Sequence, residues 1–218
     1  MNRAVICFTR VPRPGVTKTR LQAVLSPEHC AGLHWAFLKD LAQVYQQLDA
    51  HLFIAYVSDP DWESLKQVFP HAGYLPQQGK DLGEKMYRAI RKVLNLGYSS
   101  VILTGTDLPL MTAEHLSEGF SRLEHNDIAI GATSDGGYYL IGMKTPRREV
   151  FQVAGYGGSS VLENTLAAAK AAGLTVGFAP TCDDVDTPED LFQTAGMLSG
   201  SSHTGRFLAA LRQEGLIP

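Results

Sequence analysis

Asp107 is the residue of this chain best placed to do chemistry. It follows the apolar run Val101-Ile102-Leu103 in the segment Thr104-Gly105-Thr106-Asp107-Leu108-Pro109. A short, β-branched, wholly apolar run closed by a glycine reads as an inner parallel strand. That places Asp107 at the strand's carboxyl end, where open α/β sheets bind their ligands. A carboxylate in that position suits Mg²⁺ or Mn²⁺, which accepts one or two protein carboxylates and fills its shell with water and phosphate oxygens. An Asp after a strand also serves as a turn former or helix cap, so the neighbouring segments decide.

The first of these is Thr9-Arg10-Val11-Pro12-Arg13-Pro14-Gly15-Val16-Thr17-Lys18-Thr19-Arg20, four cations within eleven residues directly after the first strand. Two prolines stiffen it and Gly15 permits close backbone approach. Such a loop suits a diphosphate: Arg20 as a bidentate anion ligand, Lys18 as a mobile point charge. The Gly-Lys-Ser/Thr core of a Walker loop is absent. The competing reading is a solvated basic loop.

Two further segments carry carboxylates. In Cys182-Asp183-Asp184-Val185-Asp186-Thr187-Pro188, Asp184 or Asp186 could supply a second metal ligand, or simply favour the amino terminus of the helix that follows. In Asp135-Gly136-Gly137-Tyr138-Tyr139 the paired glycines allow a ligand close to the backbone, and Asp135 could orient an acceptor hydroxyl or take its proton. A tight hairpin turn is the alternative. The seven histidines show no paired metal-ligand spacing and read as structural or surface residues, and the three cysteines as idle thiols. No nucleophile elbow is present.

These residues need a scaffold, and strands alternate with helices along the chain. Strands are expected over 3–8, 51–57, 101–103, 127–131, 138–143 and 174–178. Helices are expected after Ser26-Pro27, over 59–69, after Asp81, from Thr112 to about Leu123, over 159–172 and after Thr187. The segments 127–131 and 138–143 form a hairpin or an excursion from the sheet. The fold class is therefore α/β: one domain in three layers, α/β/α, on a mostly parallel sheet. It covers 1–198, and 199–218 form a linker and small closing helix. With 44% hydrophobic residues the chain can bury a core, and a net charge of −3 with interspersed signs excludes a polynucleotide-binding surface. No stretch approaches a membrane span, which makes a cytoplasmic location the expectation. Oligomeric state is not legible.

Taken together, Pro14-Gly15 with Lys18-Thr19-Arg20, Gly105-Thr106-Asp107-Leu108-Pro109, Asp135-Gly136-Gly137-Tyr138-Tyr139-Leu140-Ile141-Gly142 and Asp184-Val185-Asp186-Thr187-Pro188-Glu189-Asp190 resemble the bacterial DUF2064 family of glycosyltransferase A-like, nucleotide-diphospho-sugar transferase-like proteins. The resemblance spans about Arg3 to Leu191. It implies a nucleotide-binding α/β fold with a divalent metal on Asp107, where related glycosyltransferases carry Asp-x-Asp; here Gly105 stands at the first Asp position. It also makes Gln78 and Gly79, with Asp81-Leu82-Gly83, a candidate wall for the nucleotide base. Where family members usually carry Trp-Gly-Thr, this chain has Tyr156-Gly157-Gly158-Ser159-Ser160.

The expected activity is metal-dependent transfer from a nucleotide-diphosphate sugar to a small-molecule acceptor. Arg10, Gly15, Lys18, Arg20, Gln78, Gly79, Gly83 and Thr106 are expected on the nucleotide and diphosphate, Asp107 and Asp186 on the metal. Asp107 and Asp135 are the expected catalytic residues, with Gly136, Gly137 and Tyr138 at the acceptor. A nucleotidyltransferase of the guanylyltransferase kind, taking a nucleoside triphosphate and releasing pyrophosphate, is the first alternative. A binding protein without turnover is the second.

Overall fold

The computed structural model describes residues 2–198 and 200–218. Met1 and Ser199, the first residue of the expected linker, lie outside them. Seven strands form one sheet in the order β3-β2-β1-β4-β6-β5-β7. The strands are β1 Arg3–Thr9, β2 His51–Tyr56, β3 Gly73–Pro76, β4 Ser100–Thr104, β5 Ile128–Ala132, β6 Tyr138–Met143 and β7 Val176–Ala179. The pairs β1·β2, β1·β4, β2·β3 and β5·β7 are parallel. Strand β6 runs antiparallel to both neighbours, β4 and β5. The hairpin alternative at 127–143 is thus the observed one, with its second strand inserted between β4 and β5.

Helices lie on both faces: α1 Pro27–Tyr45, α2 Leu82–Asn95, α3 Ala113–His125, α4 Val161–Ala171, α5 Pro188–Met197 and α6 His203–Gln213. Their starts follow local chemistry. Ser26 accepts a hydrogen bond from the His29 N–H at 3.2 Å, and Asp81 from the Glu84 N–H at 2.7 Å, each satisfying an amide the helix leaves unpaired. Proline at the first position of α1 and α5 fits a site that needs no donor. Two expectations are corrected. The helix expected over 59–69 is only a 3-10 turn, Trp62–Gln67, and the short edge strand β3 occupies a stretch where no element is expected from sequence.

One apolar cluster packs between the sheet and α1 and α3, around Leu38, Leu41, Ile54, Leu116 and Leu123. A second lies on the opposite face under α2 and α4, around Ile6, Ile90, Val101, Ile130 and Ala169. Every residue of β4 is buried, which explains the apolar run Val101–Leu103 at its centre. A third cluster joins Leu33 and Phe37 of α1 to Leu191, Leu208 and Leu211. Helix α6 is therefore seated on α1, and the Asp40 carboxylate accepts its first two N–H groups, from His203 at 2.7 Å and Thr204 at 2.8 Å. No described helix is long and apolar enough to cross a membrane.

Strands β1, β2 and β3 step one way from the middle of the sheet, while β4 lies on the other side of β1. The carboxyl ends of β1 and β4 thus flank the crevice where α/β sheets bind ligands.

Candidate functional site

Asp107 lies three residues past β4, at the mouth of that crevice. The Val185 N–H donates to the Asp107 carbonyl at 2.8 Å, stitching the 184–186 segment to the loop after β4. Val185 is buried among α1 and α5 side chains, and Asp184 and Asp186 line the crevice on either side of it. Lys18 reaches between the two segments. Its Nζ lies 2.8 Å from Asp107 Oδ1 and 3.0 Å from Asp186 Oδ1, and it donates to the Val185 carbonyl. The Lys18 side chain is only 2% exposed and sits 5.5 Å from the centre of the Phe37 ring. Its backbone is left-handed, φ 53°, a conformation a side chain seldom adopts without surrounding constraint. Arg13 anchors the loop that presents it. The Arg13 guanidinium holds Asp59 through two nitrogens, and its backbone N–H donates to Thr17 Oγ1 at 3.0 Å.

From Asp107 the crevice runs two ways. One end, a cavity of about 290 Å³, is lined by Asp107, Asp135, Asp184 and Asp186, with Arg20 as its cation. Burial pushes the Asp184 carboxyl up to about 6, helped by the charges of Asp186, Asp135 and Asp107. Burial would also raise Asp107, but Lys18, with His34 and Arg10, holds it below the usual range. Asp135 sits in the β5–β6 turn, where its Oδ1 accepts from Thr133 Oγ1 and from the Gly137 N–H at 3.0 Å. Gly136, φ 89°, is required there because a Cβ would overlap the Ser159 carbonyl. The Leu162 N–H donates to the Gly136 carbonyl at 3.0 Å, so this turn and the start of α4 form one wall.

The other end, about 490 Å³, has apolar sides from Phe8, Val57, Leu82 and Met86 and cations at Arg10 and Lys85. Neither cation has an ion pair among the described residues. Gln77 donates through Nε2 to the Thr9 and Ala55 carbonyls, both at 3.0 Å, which turns its amide oxygen the other way.

The expected residues separate into groups. Arg10, Lys18, Arg20, Thr106, Asp107, Asp135, Gly137, Tyr138 and Asp186 all line the crevice or the recess beside the first loop. Gly15, φ 77°, shapes the loop but lines none of these cavities. Gln78 is exposed and lines none of them either; its neighbour Gln77 does. Gly79, φ 151°, lets the chain pass the start of α2, and Gly83 makes room for the Phe151 carbonyl and the Tyr156 ring. Both glycines are packing devices. Sequence reasoning missed His34, whose Nε2 lies 3.0 Å from Thr106 Oγ1 and 4.0 Å from Asp107 Oδ1. Burial lowers its pKa to about 4, so the ring is neutral near neutral pH. It also missed Lys85, half-buried on α2. The cysteines are free and buried, as expected.

For a divalent cation, the donor set is of the right kind. Asp107, Asp184 and Asp186 offer hard oxygen ligands, and burial, with the neighbouring carboxylates adding to it, raises Asp184. No group of three or more His, Cys, Asp or Glu among the described residues is arranged as a metal cage. A magnesium-like ion needs only one or two carboxylates when phosphates complete its shell.

Comparison with known proteins follows the same lines. A crystal structure described as that of a "putative nucleotide-diphospho-sugar transferase" from Desulfovibrio desulfuricans G20 has a TM-score of 0.91 and 34% identity, over 100% of both chains. A cytidylyltransferase from Leptospira borgpetersenii serovar Hardjo-bovis shares the fold at a TM-score of 0.58 and 11% identity, over 99% of this chain and 95% of its own. So does CMP:2-keto-3-deoxy-manno-octonic acid synthetase complexed with CTP, at 0.54 and 14%, over 98% and 100%. No curated protein matches. Residues 40–158 match DUF2064, described as an uncharacterized protein conserved in bacteria. The chain belongs to the DUF2064 family, on the fold of nucleotide-diphospho-sugar transferases.

Proposed function

We propose that the protein is a metal-dependent transferase that moves a sugar from a nucleotide-diphosphate donor to a small acceptor. The observation that carries this reading is the position of Asp107, at the junction of a basic, apolar cavity and an acidic, glycine-walled one. The nucleotide occupies the basic end. Its base packs against Leu82 and Met86, and Arg10 and Arg20 grip phosphate oxygens from the two sides of Asp107. Asp107 and Asp186, with Asp184 beside them, would hold the divalent cation, which would supply neutralising charge to the departing nucleoside diphosphate.

In the transfer, an acceptor hydroxyl attacks the anomeric carbon. The bond from that carbon to the β-phosphate oxygen breaks, and the nucleoside diphosphate leaves. Asp135, fixed through Oδ1 in its turn, receives the hydroxyl proton on Oδ2. Gly137 and Tyr138 form the acceptor wall, whereas Gly136, expected there too, lines neither end of the crevice and shapes the turn behind them. Because negative charge grows on the leaving diphosphate, Arg10 and Arg20 bind the transition state more tightly than the ground state, which is what accelerates the step.

A second reading is nucleotidyl transfer with release of pyrophosphate. It is favoured by the cations Arg10 and Lys85 at the basic end, which suit the additional charge of a triphosphate. The two separate in one screen: thermal stabilisation by nucleotide sugars and by nucleoside triphosphates, each with and without Mn²⁺, followed by assay for released nucleoside diphosphate and pyrophosphate. Mn²⁺-dependent stabilisation by a nucleotide sugar, with diphosphate released, supports the first reading. Stabilisation by a triphosphate with pyrophosphate released replaces it with the second. Tight binding with neither product favours the remaining alternative, a nucleotide-binding protein without turnover.

A further inference from the structure

Lys18 was expected on the diphosphate, yet its ammonium lies where a cation bridging Asp107 and Asp186 would lie. Three oxygens surround it: Asp107 Oδ1, Asp186 Oδ1 and the Val185 carbonyl. With the side chain only 2% exposed, the charge is stable there only while it stays paired, because a buried ion without a partner costs several kcal/mol. The arrangement is also built rather than incidental. The backbone of Lys18 is held in the left-handed region, the only non-glycine residue so placed among those described. It opens the 3-10 turn Thr19–Ala23, and Arg13 and Thr17 fix the loop on its other side.

We propose that Lys18 is an internal cation that occupies the divalent-metal position in the nucleotide-free protein, so that metal enters only together with the phosphates that draw Lys18 away. The proposal rests on the metal-and-nucleotide reading above and adds an order of events to it. A divalent ion arriving alone must displace an ammonium already held by three oxygens and leave it buried without a partner. A metal arriving with a diphosphate brings the new partner along: phosphate oxygens accept the lysine while the carboxylates accept the metal. Lys18 thereby serves both states with one charge, and metal and nucleotide affinities are coupled reciprocally.

The test is Mn²⁺ binding without nucleotide, followed by electron paramagnetic resonance, for wild type, Lys18→Met and Lys18→Gln. The Gln variant retains a donor for the Val185 carbonyl and gives the answer if the Met variant does not fold. Both are expected to bind Mn²⁺ at least about tenfold more tightly than wild type, and adding Asp107→Asn should remove the gain. Equal affinity in all three proteins overturns the role of Lys18 and leaves the metal reading intact. That role is overturned equally, and the metal reading again survives, if none binds Mn²⁺ alone but each is stabilised against heat by Mn²⁺ with GTP, CTP or UTP. If no combination binds, both the proposal and the metal reading fail.

Discussion

The two ends of the crevice are built from opposite materials. The basic end takes its walls from strand ends and from the first turns of α2, with Phe8 and Val57 as apolar surface of its own, Leu82 and Met86 shared with the acidic end, and Arg10 and Lys85 as charges. The acidic end is made of loops that hold one another. The β5–β6 turn is locked to the start of α4 through Gly136 and Leu162, and the 184–186 segment to the loop after β4 through Val185. An apolar, cationic slot on regular elements suits a ligand of fixed shape and negative charge. A carboxylate-rich cleft on interlocked loops suits cations and reacting hydroxyls, whose identity loops can vary without disturbing the sheet. Asp107 belongs to both ends, so the largest effects should arise there.

Asp107→Asn keeps the shape but removes the charge shared by the two ends. Turnover should fall on the order of 10²–10³-fold, comparable with losing one stabilising group for a transition-state charge, as measured by release of nucleoside diphosphate. An unchanged rate would show that the two ends do not meet chemically at this residue.

The next largest effect is on stability and concerns His34, which lies under the junction. Its folded pKa is lowered from an ordinary 6.5 to about 4 by burial. Between those values the unfolded chain binds more protons than the folded one, so this stability is present above pH 6.5 and is lost as pH falls toward 4. The difference, at about 1.4 kcal/mol for each pH unit, amounts to about 3 kcal/mol. Urea unfolding across this range should show that slope in wild type and a flatter one in His34→Gln. A wild-type slope of the opposite sign would mean that the ring is charged against Asp107, and the junction would be richer in cations than its geometry implies.

At the basic end, Arg10→Ala and Lys85→Ala should each weaken nucleotide binding about tenfold, as for a lost charged hydrogen bond. The loss should shrink at high salt, because exposed charges are screened. Lys85→Ala should leave Mn²⁺ binding by Lys18→Met unaltered, since that property belongs to the other end, whereas Arg10 also acts on Asp107. Coupled losses in both would erase the division between the ends.

Much of this division is readable along the chain. Val101 to Leu103 announces a buried strand, Ser26-Pro27 and Thr187-Pro188 announce helix starts, and each is where it was expected. What the sequence hides is non-local or marginal. The four-residue edge strand β3 ends in Pro76 and is only partly buried, so it lacks an apolar signature. The 59–69 segment has apolar residues near helical spacing, but it closes as a 3-10 turn around Leu65 and the stacked Tyr56 and Trp62 rings. His34 sits on the apolar face of α1, where a histidine looks like any core residue until Thr106, 72 residues away, is brought beside it. Lys18 shows the same limit in its sharpest form. Residue type and loop position nominate it for phosphate, whereas its partners Val185 and Asp186 lie 167 and 168 positions further on and only folding reveals them.

The smallest effect should come from Asp184, and it has an unusual sign. Its carboxyl is pushed up to about 6 by burial and by Asp186, Asp135 and Asp107. The folded protein therefore holds this proton more tightly than the unfolded chain, and the contribution is present below pH 4 and lost as pH rises through 6. At pH 7 the residue is ionised among three other carboxylates and works against the fold. Asp184→Asn keeps the side chain's size while removing that repulsion. Since Asp184 is only half-buried, solvent screening reduces the benefit to about 1 kcal/mol, a rise in Tm of a few degrees. Thermal melts of wild type and Asp184→Asn should differ at pH 7 and coincide at pH 4. A variant that is less stable at pH 7 would show that Asp184 is already compensated by a cation, and the acidic end would then need no metal to balance it.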